Sequence, residues 1–465
     1  MSDANRIFPD SDIQRQTAVL RHRLGRPMNN NQEVGAETAT VRKIFLHVII
    51  PIVVLQILNS LDRVNVSFAA LHMSADLGMN RAAYGLGVGL FFWGYLLFQY
   101  PSVWLLRRLG FRFWLGASVI AWGVISAAMA GVHSPAMYYL LRFLLGLAEA
   151  GFAPGVIVFI RTWLPANHRA SAVALTMLPV PLSVIIGGPL AGLLMTHPGA
   201  LGLSGWRWMF LAEAVPTMIA GLIALAWFRD TPLLGNWLGN AQKAWLRRRI
   251  NQEDIAEADV HAAQHVSATH QWTRIALFSG VWFSMVSGAY SLIYWLPQVM
   301  KQASGFGDVG VGVLTALPWI GLGAGMVLNG RHSDRTNERF WHLIIPMLIA
   351  TLGIMTSLLL HSGWGSLVAL CAGATGLGAG QGAFWGPAAS CMRRSHANLG
   401  VVMINTAGNI GGAVSPILIG FVRDRTGSFQ DPVLALALLL AMGVVMLLPL
   451  SGLLRTNKCL VIKEA

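Results

Sequence analysis

Residues 44–71 read IFLHVIIPIVVLQILNSLDRVNVSFAAL. The run is long enough to cross a bilayer core as a helix, which takes about 20 apolar residues. Yet it carries an aspartate and an arginine, Asp62 and Arg63, well inside it. An ionised side chain at that depth costs about 2.5–3.5 kcal/mol on insertion scales, so such a group pairs or faces a polar cavity. The stretch predicts a spanning helix inside a bundle with a polar interior.

Working outward, apolar runs of the same kind recur along the chain, each ended by charge, proline or glycine. They fall near 84–105, 113–131, 136–160, 170–195 and 207–228, then near 274–297, 309–330, 340–361, 363–390, 398–422 and 432–454. The 465 residues are 55% hydrophobic and only 11% charged, with a mean hydropathy of +0.57. Soluble domains carry about a quarter charged residues, so a soluble globule is excluded, as is a disordered chain. The expectation is an all-α membrane protein of twelve transmembrane helices in two six-helix, pseudo-symmetric halves. Its parts are a polar tail 1–43, a first bundle 44–228, a central loop 229–273, a second bundle 274–455 and a short tail 456–465. The first tail lacks the apolar core of a signal peptide.

The formal net charge is +13. Its distribution points to membrane topology rather than to nucleic acid, because the basic residues cluster between apolar runs. Lys and Arg number 26 on the side of the tails and the even-numbered connections, against five on the other side; the remaining two are Arg63 and Arg142. Positive loops stay in the cytoplasm. Both termini and the central loop are therefore expected there, in a multi-pass protein of the inner membrane.

The halves echo each other. Leu105-Leu106-Arg107-Arg108-Leu109-Gly110 follows span 2, and Gly330-Arg331-His332-Ser333-Asp334-Arg335 follows span 8. Gly151, Pro154 and Gly155 in span 4 face Trp385-Gly386-Pro387 in span 10, and arginines close both spans, at Arg161 and at Arg393 and Arg394. An offset near 230 residues reads as a parallel repeat.

Charge inside the apolar runs marks the candidate site. Span 4 adds Arg142 and Glu149 to the Asp62-Arg63 pair of span 1. Seven residues apart, Arg142 and Glu149 share one helix face at about 10 Å separation. Two acids and two bases then nearly neutralise each other in one cavity. A guanidinium stays charged and offers a bidentate fork to a carboxylate, while a buried carboxyl takes or loses a proton according to its neighbours. That pairing favours an anion site coupled to protons, with Asp62 and Glu149 as proton carriers; a purely structural ion-pair network is the plainer alternative. Tyr95 in span 2, Tyr290 and Tyr294 on one face of span 7, Gln381 and Trp385 in span 10, and Asn405 and Asn409 in span 11 are further candidates for contact with substrate. Arg108, Arg169, Asp334 and Arg335 at the loops are candidates for a conformational switch, or plain topological anchors.

Enzyme readings find no support. None of the five lysines precedes Ser or Thr, so there is no ATP-binding P-loop. His261 and His265 have a metal-compatible spacing but sit in a polar loop without a matching acid, and no metal or other cofactor is expected.

Taken together, Leu61-Asp62-Arg63-Val64-Asn65, Arg142-x6-Glu149, Trp163-Leu164-Pro165-x3-Arg169 and Asn405-x3-Asn409-x6-Pro416 resemble the major facilitator superfamily. Within it they look most like the anion:cation symporter branch of galactonate, tartrate, phthalate and hydroxyphenylacetate permeases. The resemblance covers about 44–455. It implies proton-coupled uptake of a small organic anion by alternating access; a monomer is expected. It also implies that Asp62 and Glu149 carry protons, that Arg63 holds the substrate carboxylate, that Arg142 pairs with Glu149, and that Tyr95, Trp385 and Asn405 line the cavity. Ser60 and Val180 replace a tyrosine and a glutamine of the galactonate transporter, which points to a less hydroxylated or aromatic acid. Arg107 replaces a common aspartate, as in tartrate- and phthalate-like members. A same-fold exporter, exchanging a drug or metabolite for protons, is the alternative.

Overall fold

A computed structural model describes residues 30–196, 202–261, 269–360, 363–391 and 394–455. His265, Arg393 and most of both tails lie outside the described residues. Among the described residues twelve helices are long and apolar enough to cross a membrane. They are α1 (Glu37–Asp76), α2 (Arg81–Leu109), α3 (Phe111–Met129), α4 (Pro135–Trp163), α5 (Ala166–Thr196) and α6 (Gly205–Trp227), then α7 (Gln271–Ser304), α8 (Asp308–Thr336), α9 (Trp341–Leu359), α10 (Trp364–Ala388), α11 (Leu399–Thr426) and α12 (Gln430–Leu450). A further helix, Asn240–His261, lies in the central loop. All twelve apolar runs are therefore helices. Several extend past the run, because polar residues continue a helix beyond the apolar zone: α8 carries Arg331 to Arg335 in its last turns.

Prolines set the irregularities. Pro51 has no N–H to give, the helix widens to a π turn over Phe45–Ile49, and the His47 carbonyl accepts a bond of 2.8 Å from the Trp227 indole. Helix α4 starts on Pro135 with Ser134 as its cap. It breaks after Glu149 and resumes at Phe152, since Pro154 cannot bond back to the Ala150 carbonyl. The acid thus sits at the loosened turn.

The two halves meet along three seams, α5 with α8, α2 with α11, and α1 with α7. The tightest contacts lie at the end of the bundle opposite the chain termini, the far end. A Cβ on Gly85 of α2 would stand 2.5 Å from the Pro416 carbonyl oxygen of α11, and one on Gly188 of α5 would stand 2.7 Å from the Gly312 oxygen of α8. Glycine there lets backbones touch, as small residues do in membrane bundles. Polar contacts reinforce the seam. Asp424 of α11 accepts the first N–H groups of α2, from Arg81 at 3.1 Å and Ala82 at 2.7 Å. Asp308 bonds His72 at 2.8 Å and Lys301 at 3.1 Å. At the terminal end the ion pairs Arg169–Glu253 and Arg339–Asp334 connect no residue of one bundle to the other. The far end is closed.

Candidate functional site

The charges in the apolar runs converge at mid-depth, but their pairing differs from the one the family resemblance implies. Arg63 Nε donates to Glu149 Oε2 at 2.7 Å, and Glu149 is wholly buried. The Arg63 Nη1 group reaches the Tyr290 hydroxyl of the other half at 3.4 Å. Its guanidinium lies over the rings of Phe91 and Tyr95, 5.2 Å from each centroid. Arg63 therefore touches α2, α4 and α7 at once.

Arg142 does not pair with Glu149. Two turns along the same helix, its guanidinium lies over Phe91 at 4.8 Å, and neither Nε nor Nη2 donates a hydrogen bond. The correction has a simple cause: Arg63 on the neighbouring helix reaches across to Glu149, while the axial separation within α4 keeps Arg142 away. Phe91, which the sequence did not mark, has two cations against its ring; cation–π contacts of this kind contribute up to about 2 kcal/mol when desolvated.

Asp62 faces away from its neighbour Arg63, as successive positions on a helix do. Its Oδ1 accepts from Ser126 of α3 at 2.8 Å and from Asn65 at 3.5 Å, and its Oδ2 takes no hydrogen bond. The four charges thus form one direct ion pair with two flanking ions, not a mutually neutralising quartet.

In the second half, Tyr290 and Tyr294 stack with centroids 5.9 Å apart. Tyr290 is half-buried, whereas Tyr294 is fully enclosed behind it and its backbone carbonyl accepts from Tyr84. Gln381 donates to the Met285 carbonyl at 3.5 Å. Trp385 is half-buried and packs edge-on against Trp282 at 4.9 Å. Asn405 and Asn409 are half-buried and share a helical stripe with Gly412, whose face meets Phe92 and Tyr290. The structure brings Arg63, Glu149, Tyr95 and Tyr290 into direct contact. Trp385 and Gln381 meet α7 at Trp282 and Met285, further along that helix than Tyr290.

The loop candidates are dispersed. Arg108 lies over Trp104 on its own helix at 4.5 Å. Arg169 donates to the Leu164 carbonyl at 2.9 Å and to Glu253 at 3.2 Å, which ties the central loop to α5. Asp334 accepts from Arg339 at 2.6 Å, and Arg335 is exposed.

Two bundles joined along glycine seams, with an ion pair at mid-depth whose arginine also bonds the other half, define a polytopic membrane transporter rather than an enzyme. Residues 52–416 match the Major Facilitator Superfamily, and the chain belongs to that family. It is 39% identical over 415 residues to a protein of Agrobacterium vitis named "Putative tartrate transporter", covering 89% of this chain and 95% of that one. It is 35% identical to the quinolone resistance transporter of Acinetobacter baumannii, over 88% and 94% of the two chains. Its fold matches the xylose transporter XylE from E. coli, solved in an inward open conformation, with a TM-score of 0.70 at 13% identity, over 87% and 95%.

Proposed function

We propose that the protein is a proton-coupled symporter that takes up a small carboxylate, such as tartrate, a sugar acid or an aromatic acid, through the inner membrane as a monomer. The observation that carries this reading is the Arg63–Glu149 pair at 2.7 Å, with Arg63 also bonded to Tyr290 of the other half.

A substrate carboxylate and Glu149 compete for one guanidinium. A proton on Glu149 cancels its charge and frees Arg63 Nε for the anion; loss of that proton restores the pair and expels the anion. Binding of the two is therefore linked, and neither ion crosses well alone. Arg142 adds a second positive charge across Phe91, which favours an acid. Asp62, one residue from Arg63, is the second proton carrier. Tyr95 flanks the guanidinium, while Tyr290, Gln381, Trp385, Asn405 and Asn409 offer polar and aromatic contacts from the opposite half. An anion held between the halves gives them a shared contact, and rocking about it alternates access. With the termini in the cytoplasm, the closed far end is the periplasmic one, and the conformation is inward-facing. Arg108, Arg169, Asp334 and Arg335 then form the cytoplasmic switch contacts of the opposite state.

The relative named for tartrate transport supports a carboxylate substrate. The relative named for quinolone resistance supports a second reading, export in exchange for protons. Labelled tartrate uptake into proteoliposomes, under an imposed gradient acidic outside, separates them. Accumulation abolished by a protonophore is expected; accumulation that needs the reverse gradient establishes export, and none under either gradient removes tartrate as substrate.

A further inference from the structure

Helix α6 contains a further carboxylate, apart from the Arg63–Glu149 pair. Glu213 lies inside an apolar helix, is more than nine-tenths buried, and its Oε2 takes no hydrogen bond from the protein. It faces the Asn65 amide and stands within electrostatic reach of Asp62. Asn65 in turn donates to Asp62, and its own Oδ1 is without a donor.

Three enclosed oxygens, Asp62 Oδ2, Asn65 Oδ1 and Glu213 Oε2, therefore lack a hydrogen each. Ser126 and Asn65 supply donors only to the other Asp62 oxygen. An acceptor left unpaired in an apolar interior costs about 1–3 kcal/mol. A proton on either acid turns one oxygen of the cluster from acceptor to donor.

The surrounding charges do not remove the need. Helix α6 packs on α1, α3 and α5. From α1 the titratable group beside Glu213 is Asp62, while Asp76 and His47 meet α6 only at its two ends, through Trp206 and Trp227. On α3 the charged residue is Arg112, at the opposite end, bonded to the Leu225 carbonyl. On α5 the ionisable residues are His168 and Arg169, engaged at the terminal end by Glu37 and Glu253. Arg207 of α6 donates to the Ala130 carbonyl at the far end. Arg142 reaches Asp62 but is not among the groups facing Glu213. Among the described residues the first half thus holds three buried acids, Asp62, Glu149 and Glu213, against one buried arginine, Arg142, and the half-buried Arg63.

We propose that Glu213 is a proton-binding group of the transport cycle, sharing a proton with Asp62 across Asn65, apart from the anion site at Arg63. The inference deepens the symport reading and rests on it. Along α1, Asn65 lies one turn beyond Asp62 towards the far end, so the pair extends the proton path in that direction, away from the anion.

The test uses full-length protein in proteoliposomes, with tartrate as probe, comparing wild type, Glu213→Gln and Glu213→Asp. The expected result is that Glu213→Gln lowers accumulation driven by a pH gradient about tenfold more than it lowers tartrate counterflow at equal pH. The midpoint of its counterflow pH profile moves by about one unit, as expected for loss of a neighbouring charge. Glu213→Asp retains the wild-type profile. Equal losses in both assays with an unmoved profile, in protein that elutes as a folded monodisperse species, overturn the proposal, as does a variant identical to wild type. Absence of any proton flux in wild type overturns the symport reading itself, and is seen without the variant.

Discussion

Arg63 and Glu149, 86 residues apart in the chain, form a 2.7 Å ion pair at mid-depth, and the same arginine bonds Tyr290 of the other half at 3.4 Å. One guanidinium thus joins a carboxylate that can take a proton to a hydroxyl on the opposite bundle.

The geometry of that guanidinium sets the first expectation. Arg63→Lys replaces a planar fork by a point charge, so the apparent affinity for tartrate should fall about 10- to 100-fold while the protein remains folded. Counterflow measured against substrate concentration checks this. An unchanged half-saturation value would place the anion elsewhere, with Arg142 the next choice.

Competition between Glu149 and the anion sets the sign of a pH effect. Lower pH protonates the competitor, so wild-type tartrate binding should tighten as pH falls. Glu149→Gln removes the competitor's charge permanently; binding should lose that pH dependence, and gradient-driven accumulation should drop at least about tenfold. Titration by intrinsic tryptophan fluorescence at a series of pH values reads the first effect, and uptake reads the second.

Closure of the far end depends on bare backbone. A methyl on Gly85 meets the Pro416 carbonyl at 2.5 Å, and overpacking of this kind costs about 1–3 kcal/mol. Gly85→Ala should bias the protein about tenfold or more away from the closed far end and slow transport accordingly. Spin-label distances between the far ends of α2 and α11 should lengthen; an unaltered distribution contradicts this seam as the gate.

Outside the membrane, Glu338 precedes α9 and accepts the N–H groups of Trp341 and His342. Partial burial works against its ionisation, but these bonds and the His342 contact outweigh it and hold the carboxyl below its ordinary value. A lowered folded-state value means the stabilisation is present at neutral pH and is lost as pH falls through it. Glu338→Gln should therefore destabilise the protein by about 1 kcal/mol at pH 7, in the range of helix-cap losses, and by less near pH 4. Thermal unfolding in detergent at the two pH values measures the difference.

The twelve spans were legible because run length and hydropathy alone mark a spanning helix. The charges at Asp62, Arg63, Arg142 and Glu149 were legible for the same reason, since each interrupts an apolar run. Their partners were not. Which arginine reaches Glu149 depends on how α1 crosses α4, and adjacent residues such as Asp62 and Arg63 point to different neighbours. Ser126 and Phe91 are ordinary residues of membrane helices, and only their placement against charge distinguishes them. Glu213 meets the same criterion as Glu149, an acid inside an apolar run. The glycines at Gly85 and Gly188 look like any others until the helix they touch is known.

The most direct test of the account is the pH inside proteoliposomes, followed by a trapped dye as tartrate, sugar acids and aromatic carboxylates are added outside. Internal acidification triggered by one of these anions in wild type and abolished in Glu149→Gln is the expected result. Anion uptake with no pH change, or acidification that persists in Glu149→Gln, contradicts the claim that the Arg63–Glu149 pair couples proton to substrate.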